Sequence, residues 1–534
     1  MHDTKENFHN AAYLVKFWGR QQLPSGKTLE EALTINGLSF WDVISPTLAL
    51  GHVAKISSDG DVSPSISQRL SLFRRKSKTL ALNMVLPFVG NTNGCIKWPS
   101  EPVFLLLGFS HYIYREILRP IATRISNRKD IKAIALHDSL RNEKHHTSAH
   151  ANEFQSIWQH WGRDVHLKAG SLQKAYKSVL REIQSSNGLS QIIKDQNTTQ
   201  MRNTFDWLLE AFLPRMLNQV AVAMHIFENH RPVLIISPDV NDPRTRIYCL
   251  LARQFNVPTL EVQFGGFYDL DSIEWRFFIA DHLAVTGDAS RKIMLEHGIS
   301  PERMTVTGSS RYDGFFSHPD EIVFRTKEKL KIPKEKTMVL FASQPYIYGA
   351  FSSDEARVVM IDALFQTVGN MDNLCLVVKP HPIESSNQLK QLAKDKQNIF
   401  FVDKRLDIRD IIKESDALVT FLSATTFDAL VMNKPTINLS FPGSYNNNLF
   451  EQSGATLVAR TAEDIKQILS VICNGQSAGF LDNLAANRER FLRQWAYQLD
   501  GCAAERIETI ALKMAALNLP HNSLQQHSIK AAIL

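Results

Sequence analysis

The sequence predicts an α/β protein with two Rossmann-like domains, each a parallel sheet with helices on both faces, facing a central cleft. Three observations carry this expectation. Short apolar runs without polar alternation, such as residues 374–378, 399–402 and 417–421, read as strands buried on both faces. Segments of helical spacing separate them, among them Ile408, Ile411 and Ile412, then Phe427, Leu430 and Val431. The same βαβ alternation runs before and after residues 317–319, which marks a linker between two domains. A chain of 534 residues is also too long for one core.

The first hundred residues carry the least pattern. Phe40 and Trp41 read as core aromatics. Residues 69–78 interleave Arg69, Arg74, Arg75, Lys76 and Lys78 with apolar side chains. That reads as a solvated helix face, with contact to anionic lipid as the second reading. From Pro102 the rhythm begins: a strand over 103–108, a helix over 112–121, and a strand over 131–136 that ends at His137-Asp138. Phe154, Ile157, Trp158 and Trp161 are spaced for one helix face, and 208–226 is a strong amphipathic helix. His145, His146 and His150 lie in a polar segment without a carboxylate partner or an H-E-x-x-H pattern, so a loop is expected there.

A strand over 233–237 ends at Pro238-Asp239, and a helix over 245–254 follows. The strand over 258–263 ends at Phe264-Gly265-Gly266, and those over 282–286 and near 304–307 complete the first half. The second half opens with a strand over 338–342 that ends at Ser343-Gln344-Pro345. Strands over 436–439 and 455–459, helices over 464–472 and from residue 500 onward, and a frayed end at 520–534 complete the expectation.

The candidate chemistry sits where strands end, because ligands of open α/β sheets bind outside the carboxyl ends of the strands. Lys379-Pro380-His381-Pro382 ends one strand, and the two prolines stiffen the turn that carries the imidazole. Ser423, Thr425 and Thr426 end another and open a helix, where hydroxyls and free amides suit an anion. Each feature has a plain structural alternative: a His that caps a turn, and Ser/Thr side chains that cap a helix. Together they point to a phosphate or diphosphate held between them. Asp239 is the first candidate for a general base and Asp138 the second, since both follow strands of the first half; each could equally cap a helix.

Composition narrows the class. Hydrophobic content of 44% and charged content of 21% fit a globular enzyme, and the net charge of +6 suits anionic substrates or an anionic surface. Cys95, Cys249, Cys375, Cys473 and Cys502 are scattered without a C-x-x-C pair, as in a reducing cytoplasm. No signal peptide or membrane-spanning run is visible, so the expectation is a cytoplasmic protein. G-x-G-x-x-G, the P-loop, G-x-S-x-G and internal repeats are absent, which argues against a dehydrogenase, a P-loop NTPase, an α/β-hydrolase and a solenoid. Asp59-Gly-Asp61 and Asp269-Leu-Asp271 imitate a D-x-D metal motif, but neither ends an expected strand.

Lys379-Pro-His381-Pro, followed by Ser415-Asp-Ala-Leu-Val-Thr, Ser423-Ala-Thr-Thr426 and Lys434-Pro-Thr-Ile, resembles the C-terminal half of GT-B glycosyltransferases of bacterial surface polysaccharide synthesis. The resemblance is to the His-Pro-motif transferases of Kdo and sialic acids and, more distantly, to the glycerophosphotransferases of teichoic acid synthesis. It spans about residues 230–510 and extends weakly to Asn36–Trp41. It implies an N-terminal acceptor-side domain over 1–318, a nucleotide-sugar domain over 319–490, and a terminal helix over 491–520 that packs back on the first domain. It further implies transfer of a sugar from a nucleotide donor, a CMP-linked ulosonic acid being favoured, to a polysaccharide, glycolipid or lipid-linked glycan of capsule or lipopolysaccharide. Donor contacts fall on Gly265, Gln344, Lys379, His381, Pro382, Ser423, Thr425 and Thr426, with no metal, no cofactor and no nucleic acid, and with peripheral contact at the inner membrane face.

One departure weighs on the mechanism. Related transferases and the UDP-GlcNAc 2-epimerases carry His-Gly where this chain has Phe264-Gly265. A 2-epimerase, a polyol-phosphate transferase and a non-catalytic sugar-nucleotide-binding protein are the competing readings.

Overall fold

The computed structural model describes residues 2–56, 98–109, 113–139, 154–186, 199–239, 241–264, 273–317, 325–346, 351–421, 423–442, 449–474 and 478–518. The basic run at 69–78, His145, His146, His150, both D-x-D look-alikes, Cys95, Gly265 and the segment 520–534 lie outside the described residues. The chain divides into two compact units. Residues 1–265, 269–314 and 500–534 form the first, and residues 266–268 and 315–499 the second. The division falls at Gly314 and Phe315, a few residues before the linker position expected at 317–319.

The first unit begins with the helix His2–Gly19, a two-residue hairpin of β1 (Thr34–Ile35) and β2 (Leu38–Ser39), and the helix Phe40–Ile56. Phe40 and Trp41 are core residues, and Trp41 meets Phe205 edge-on. The main sheet follows: β3 (Val103–Leu107), β4 (Lys132–His137), β5 (Phe154–Ser156), β6 (Leu234–Ser237), β7 (Thr259–Val262), β8 (His282–Val285) and β9 (Met304–Val306). Every pair is parallel and the order is β5-β4-β3-β6-β7-β8-β9. Val103, Leu105 and Leu107 face one core while Phe104 and Leu106 face the other, so β3 has no polar side. This two-faced burial is why the strands read as continuous apolar runs.

The second unit repeats the plan with β10 (Thr337–Ala342), β11 (Leu374–Lys379), β12 (Ile399–Phe401), β13 (Ala417–Thr420), β14 (Thr436–Leu439) and β15 (Leu457–Ala459). Its order is β12-β11-β10-β13-β14-β15, again all parallel. Both sheets are doubly wound, and the α/β class with two Rossmann-like domains is the fold of this chain.

Three local expectations need correction. Phe154, Ile157, Trp158 and Trp161 do not share a helix. Phe154 opens β5, paired to Ala135, and residues 157–160 form a single 3-10 turn that Ser156 caps at the Trp158 amide. The helices expected over 112–121 and 208–226 are not α-helical throughout: each contains a π-helical turn, Tyr114–Leu118 and Leu208–Phe212, the second running on directly from the helix Thr199–Trp207. Pro120 and Pro214 follow directly, and each ring crowds the carbonyl four residues back, that of Glu116 or Glu210. Widening the preceding turn relieves that contact.

The helix Ala503–Asn518 belongs to the first unit, although the chain reaches it only after building the second. Both carboxylate oxygens of Asp313 accept its leading amides, from Ala503 at 3.1 Å and Ala504 at 2.7 Å. Glu508 pairs with Arg124 at 2.9 Å and with Arg128 at 3.4 Å, while Ile507, Ala511 and Ala515 pack with Ile117, Ile121 and Ile125. Phe491 and Trp495, just upstream, pack instead in the second unit. Among the described residues no helix is long and apolar enough to cross a membrane.

Candidate active-site elements

In the second unit the first and fourth strands, β10 and β13, lie side by side, and their following loops leave in opposite directions. Such a switch point is the usual ligand crevice of a doubly wound sheet. Ser343 and Gln344 follow β10, Lys379 closes β11 beside it, and Ser423 to Thr426 follow β13. Sequence order alone therefore brings the Lys-Pro-His-Pro and Ser/Thr segments to one sheet end.

His381 sits in a turn built by its own neighbours. Its carbonyl accepts the Glu384 amide at 2.9 Å, and its Nδ1 accepts the Ile383 amide at 3.4 Å. That acceptor role leaves the proton of the neutral ring on Nε2. Burial, helped by the Lys379 charge, pulls the imidazole pKa below its ordinary value against the opposing pull of Glu384. The ring is thus a neutral imidazole with Nε2–H as its donor.

Glu384 fixes this turn from below. One carboxylate oxygen accepts the Ser343 hydroxyl and the Arg357 guanidinium, each at 3.0 Å, and the other accepts the His381 amide at 3.2 Å. Arg357 also reaches Asp354 at 2.7 Å and Gln388 at 2.7 Å, and its Nη1 donates to the Gln344 carbonyl at 3.3 Å. Lys379 donates to the Lys404 carbonyl at 3.0 Å, and burial depresses its pKa despite Asp407 and Asp403. Pro382 is exposed beside it. The three hydroxyls are not equivalent. Ser423 accepts the Thr425 amide at 3.2 Å, which is a capping role; Thr425 is half-buried; and Thr426 is fully buried, with no hydrogen bond to its hydroxyl among the described residues. A separate cavity of about 560 Å³ lies beyond β14 and β15, lined by Ser440, Phe441, Pro442 and Arg460, with Arg460 paired to Glu451 at 3.3 Å.

In the first unit both carboxylate candidates line one cavity of about 440 Å³. Asp138 is already engaged: it pairs with Arg244 at 2.9 Å and accepts Gln219 at 3.3 Å. Arg244 also grips Asp242, and its guanidinium lies 5.3 Å from the Phe109 ring centre. Burial works against the Arg244 charge, yet Asp242 and Asp138 raise its pKa. Asp239 accepts the amides of Asn241 at 3.0 Å and Asp242 at 3.2 Å through one oxygen. Burial and the neighbouring Asp242 push its pKa up to about 6, which suits a general base near neutral pH. The helix cap expected as its alternative role falls instead to Asp242, whose side chain accepts the Arg244 amide at 2.8 Å; Asp239 closes the turn just ahead of that helix.

Sequence reasoning missed Glu384, Arg357, Arg244 and Glu274. Glu384 stands three residues after His381 and could have been read as its brace; Arg357 and Glu274 carry no local signal and are assigned by packing alone. Among the described residues no group of three His, Cys, Asp or Glu side chains is arranged to hold a metal.

Residues 272–512 match the family described as CDP-Glycerol:Poly(glycerophosphate) glycerophosphotransferase. The match takes in β8 and β9, the second unit and most of the returning helix, which is less than half of the chain. The first-unit cavity residues before 272 lie outside it. A comparison with curated proteins found no match. Similar solved structures include the S. aureus MnaA–UDP co-structure, at 14% identity over 79% of this chain and 98% of that one, with a TM-score of 0.46. They also include the Neisseria meningitidis UDP-GlcNAc 2-epimerase bound to UDP-GlcNAc (12%, 77% and 100%, TM-score 0.46) and the wall teichoic acid polymerase TagF (11%, 85% and 99%, TM-score 0.48). A likeness of this degree concerns backbone architecture, not substrate.

Proposed function

We propose that this chain is a transferase of bacterial surface-polymer synthesis that moves a group from a cytidine-nucleotide donor to a hydroxyl of a growing glycan or polyol chain. The observation that carries the reading is the Glu384-braced turn, which holds the neutral imidazole of His381 beside Lys379 at a sheet end. Its Nε2–H and the Lys379 ammonium suit a leaving nucleotide phosphate, whose charge grows as its bond to the transferred group breaks. Donors fixed beforehand at that point favour the transition state over the ground state.

The family match favours a polyol phosphate as the transferred group. In that reaction the acceptor oxygen bonds to the polyol-bearing phosphorus, the bridging P–O bond of the diphosphate breaks, and CMP leaves with the electron pair. The acceptor proton passes to a carboxylate, for which Asp239 is the first choice and Asp138, held by Arg244, the second. Phe264, where relatives of the glycerophosphotransferase type carry His, supports a second reading in which a CMP-linked ulosonic acid supplies a sugar. Gln344, Pro382, Ser423, Thr425 and Gly265 belong to the proposed donor contacts, and peripheral contact at the inner membrane face to the proposed setting; Thr426, expected among those contacts, is buried and leaves them.

Product analysis with CDP-glycerol, a CMP-ulosonic acid and UDP-GlcNAc tests both. Release of CMP with polyol phosphate on the acceptor supports the first reading, and sugar transfer the second. Isomerisation of UDP-GlcNAc, or binding without turnover of any donor, would overturn the proposal.

A further inference from the structure

The helix Arg163–Ser185 of the first unit has two faces of opposite character. Val165, Ala169, Leu172, Tyr176 and Ile183 are buried and fix it in place. The far face carries Arg163, Lys174, Lys177 and Arg181, all of them exposed. At the pitch of an α-helix these four fall within an arc of about 60° and span about 27 Å of its axis. None of them makes a hydrogen bond or ion pair with a described residue. The acidic residues stand to one side. Asp164 and Glu182 lie on the flank, where Glu182 accepts the Ser25 amide at 3.0 Å, and Glu228 meets Lys168 from the helix Leu213–Asn229. An ordinary solvated face alternates signs, because opposite charges three or four residues apart stabilise a helix. Lys174, Lys177 and Arg181 are like charges at that spacing, and they repel. An anion laid along the stripe removes that repulsion.

The stripe also has a direction. Its helix runs antiparallel to Leu213–Asn229: Lys168 meets Glu228 at the end of that helix, whereas Tyr176 donates to the Leu209 carbonyl at 2.7 Å and Gln184 to Glu210 at 3.3 Å, just ahead of its start. The Arg181 end therefore lies beside the π-helical turn Leu208–Phe212, and Phe212 and Arg215 line the cavity that holds Asp138 and Asp239. From this we infer that Lys174, Lys177 and Arg181, with Arg163 beyond them, form a second binding site, apart from the reaction centre, that holds the stretch of polyol-phosphate chain already built. The inference rests on the transferase reading and adds a retention site to it. These residues lie outside the family match at 272–512. A chain held at two places dissociates far less readily than one held at its end alone, because the second contact forms within one complex. Elongation then favours long chains over short ones. A bilayer fits this face less well. An interfacial helix lowers an apolar face into the membrane; here that face is buried in protein, and among the described residues Leu167 is the one large apolar side chain the helix exposes.

Calorimetry on the full chain tests this with tri(glycerol phosphate) and deca(glycerol phosphate), on the parent and on a variant that joins Lys174→Gln, Lys177→Gln and Arg181→Gln. Glutamine keeps the helix propensity of these exposed positions, and circular dichroism with the melting temperature checks that the variant is folded. The parent should bind the decamer about tenfold more tightly than the trimer, with the advantage shrinking as salt is raised. The variant should lose most of that advantage and keep the affinity for the trimer. Oligosialic acid of matched charge and vesicles of phosphatidylglycerol serve as rival probes. A decamer advantage that survives in the variant, or no decamer binding at all, overturns the inference. So does tighter binding of the oligosialic acid than of the decamer, or a loss in the variant confined to the vesicles. None of these readings needs turnover, so the donor panel can fail while this site holds. Unaltered decamer binding in the variant would sink the site and leave the transferase reading standing.

Discussion

Glu384 and Arg357 form an ion pair at 3.0 Å with both side chains buried, and the same carboxylate holds the His381 amide. The pair joins the turn after β11 to the helix Asp354–Gly369 and to Ser343 at the end of β10. Removing one partner strands the other's charge in a low-dielectric site. Glu384→Gln should therefore lower stability by about 3 kcal/mol, read as a shift of the urea midpoint. It should also broaden the His381 imidazole resonances in NMR, as the turn loses its brace.

His381→Ala should depress turnover by two orders of magnitude or more, which is about the range for a lost electrostatic or acid–base contact. Nucleotide affinity and melting temperature measured on the same sample separate the two roles of the ring. A lowered melting point with unchanged affinity would remove His381 from the donor site. Thr426→Ala should cost little activity, because that hydroxyl is buried.

Asp239 carries a pH signature. Its pKa in the folded chain, about 6, exceeds its ordinary 3.8, so folding favours the protonated form. Its contribution is fully present below about pH 4 and is withdrawn as pH rises through 6. Above pH 7 the ionised group costs the fold about 2 kcal/mol, allowing for solvent at its partly exposed edge. Asp239→Asn should melt higher than the parent at pH 8, with the gap closing by pH 4.5, while turnover falls about a hundredfold. Turnover equal to the parent would pass the base role to Asp138.

A second signature lies among residues that line neither described cavity. His160, His225 and His230 have ring centres 5.6 to 6.5 Å apart, and Trp98 stacks on His230 at 4.5 Å and meets His160 edge-on at 6.1 Å. Burial pushes His160 down to about 3, and burial also lowers His225 and His230. The unfolded chain takes up these protons first, so stability present above pH 6.5 should drain away as pH falls toward 3. For His160 the slope approaches about 1.4 kcal/mol per pH unit. His160→Phe should flatten the denaturation profile between pH 6 and 4.

Much of the architecture was legible because buried parallel strands announce themselves. Residues 374–378 and 417–421 have no polar side, since Leu376 and Val377 face different cores. The strand-end position of Lys379 and His381 followed from the same pattern. What escaped the sequence was long-range pairing. Arg357 and Glu384 are 27 residues apart, and Arg244 and Asp138 are 106 apart, so no local period links them. Phe154 to Trp161 misled for a different reason: helical spacing over three aromatics and Ile157 is also met by a strand followed by one 3-10 turn. The π-helical turns were written in Glu116 and Pro120, and again in Glu210 and Pro214, but as a steric clash, not a hydrophobic period.

Asp313 ties two distant stretches of chain together, and its loss should be expensive. Asp313→Ala removes both acceptors from the amides of Ala503 and Ala504 in a buried setting. The expected cost is about 2 kcal/mol, measurable as a lower melting temperature, with Asp313→Asn recovering part of it.

The helix Ala503–Asn518 also sets an order of events on the ribosome. The second unit lies wholly within residues 266–499, so all of it can leave the exit tunnel before the first unit has its last piece. Until that helix emerges, Ile117, Ile121 and Ile125 have no cover from Ile507 and Ala511, and Arg124 lacks Glu508. The N-terminal half, synthesised first, is thus completed last, and it waits through the making of more than two hundred residues with an apolar face open to chaperones or to misassociation. A chain truncated after residue 499 and released should expose that face to protease in the first unit while the second resists it.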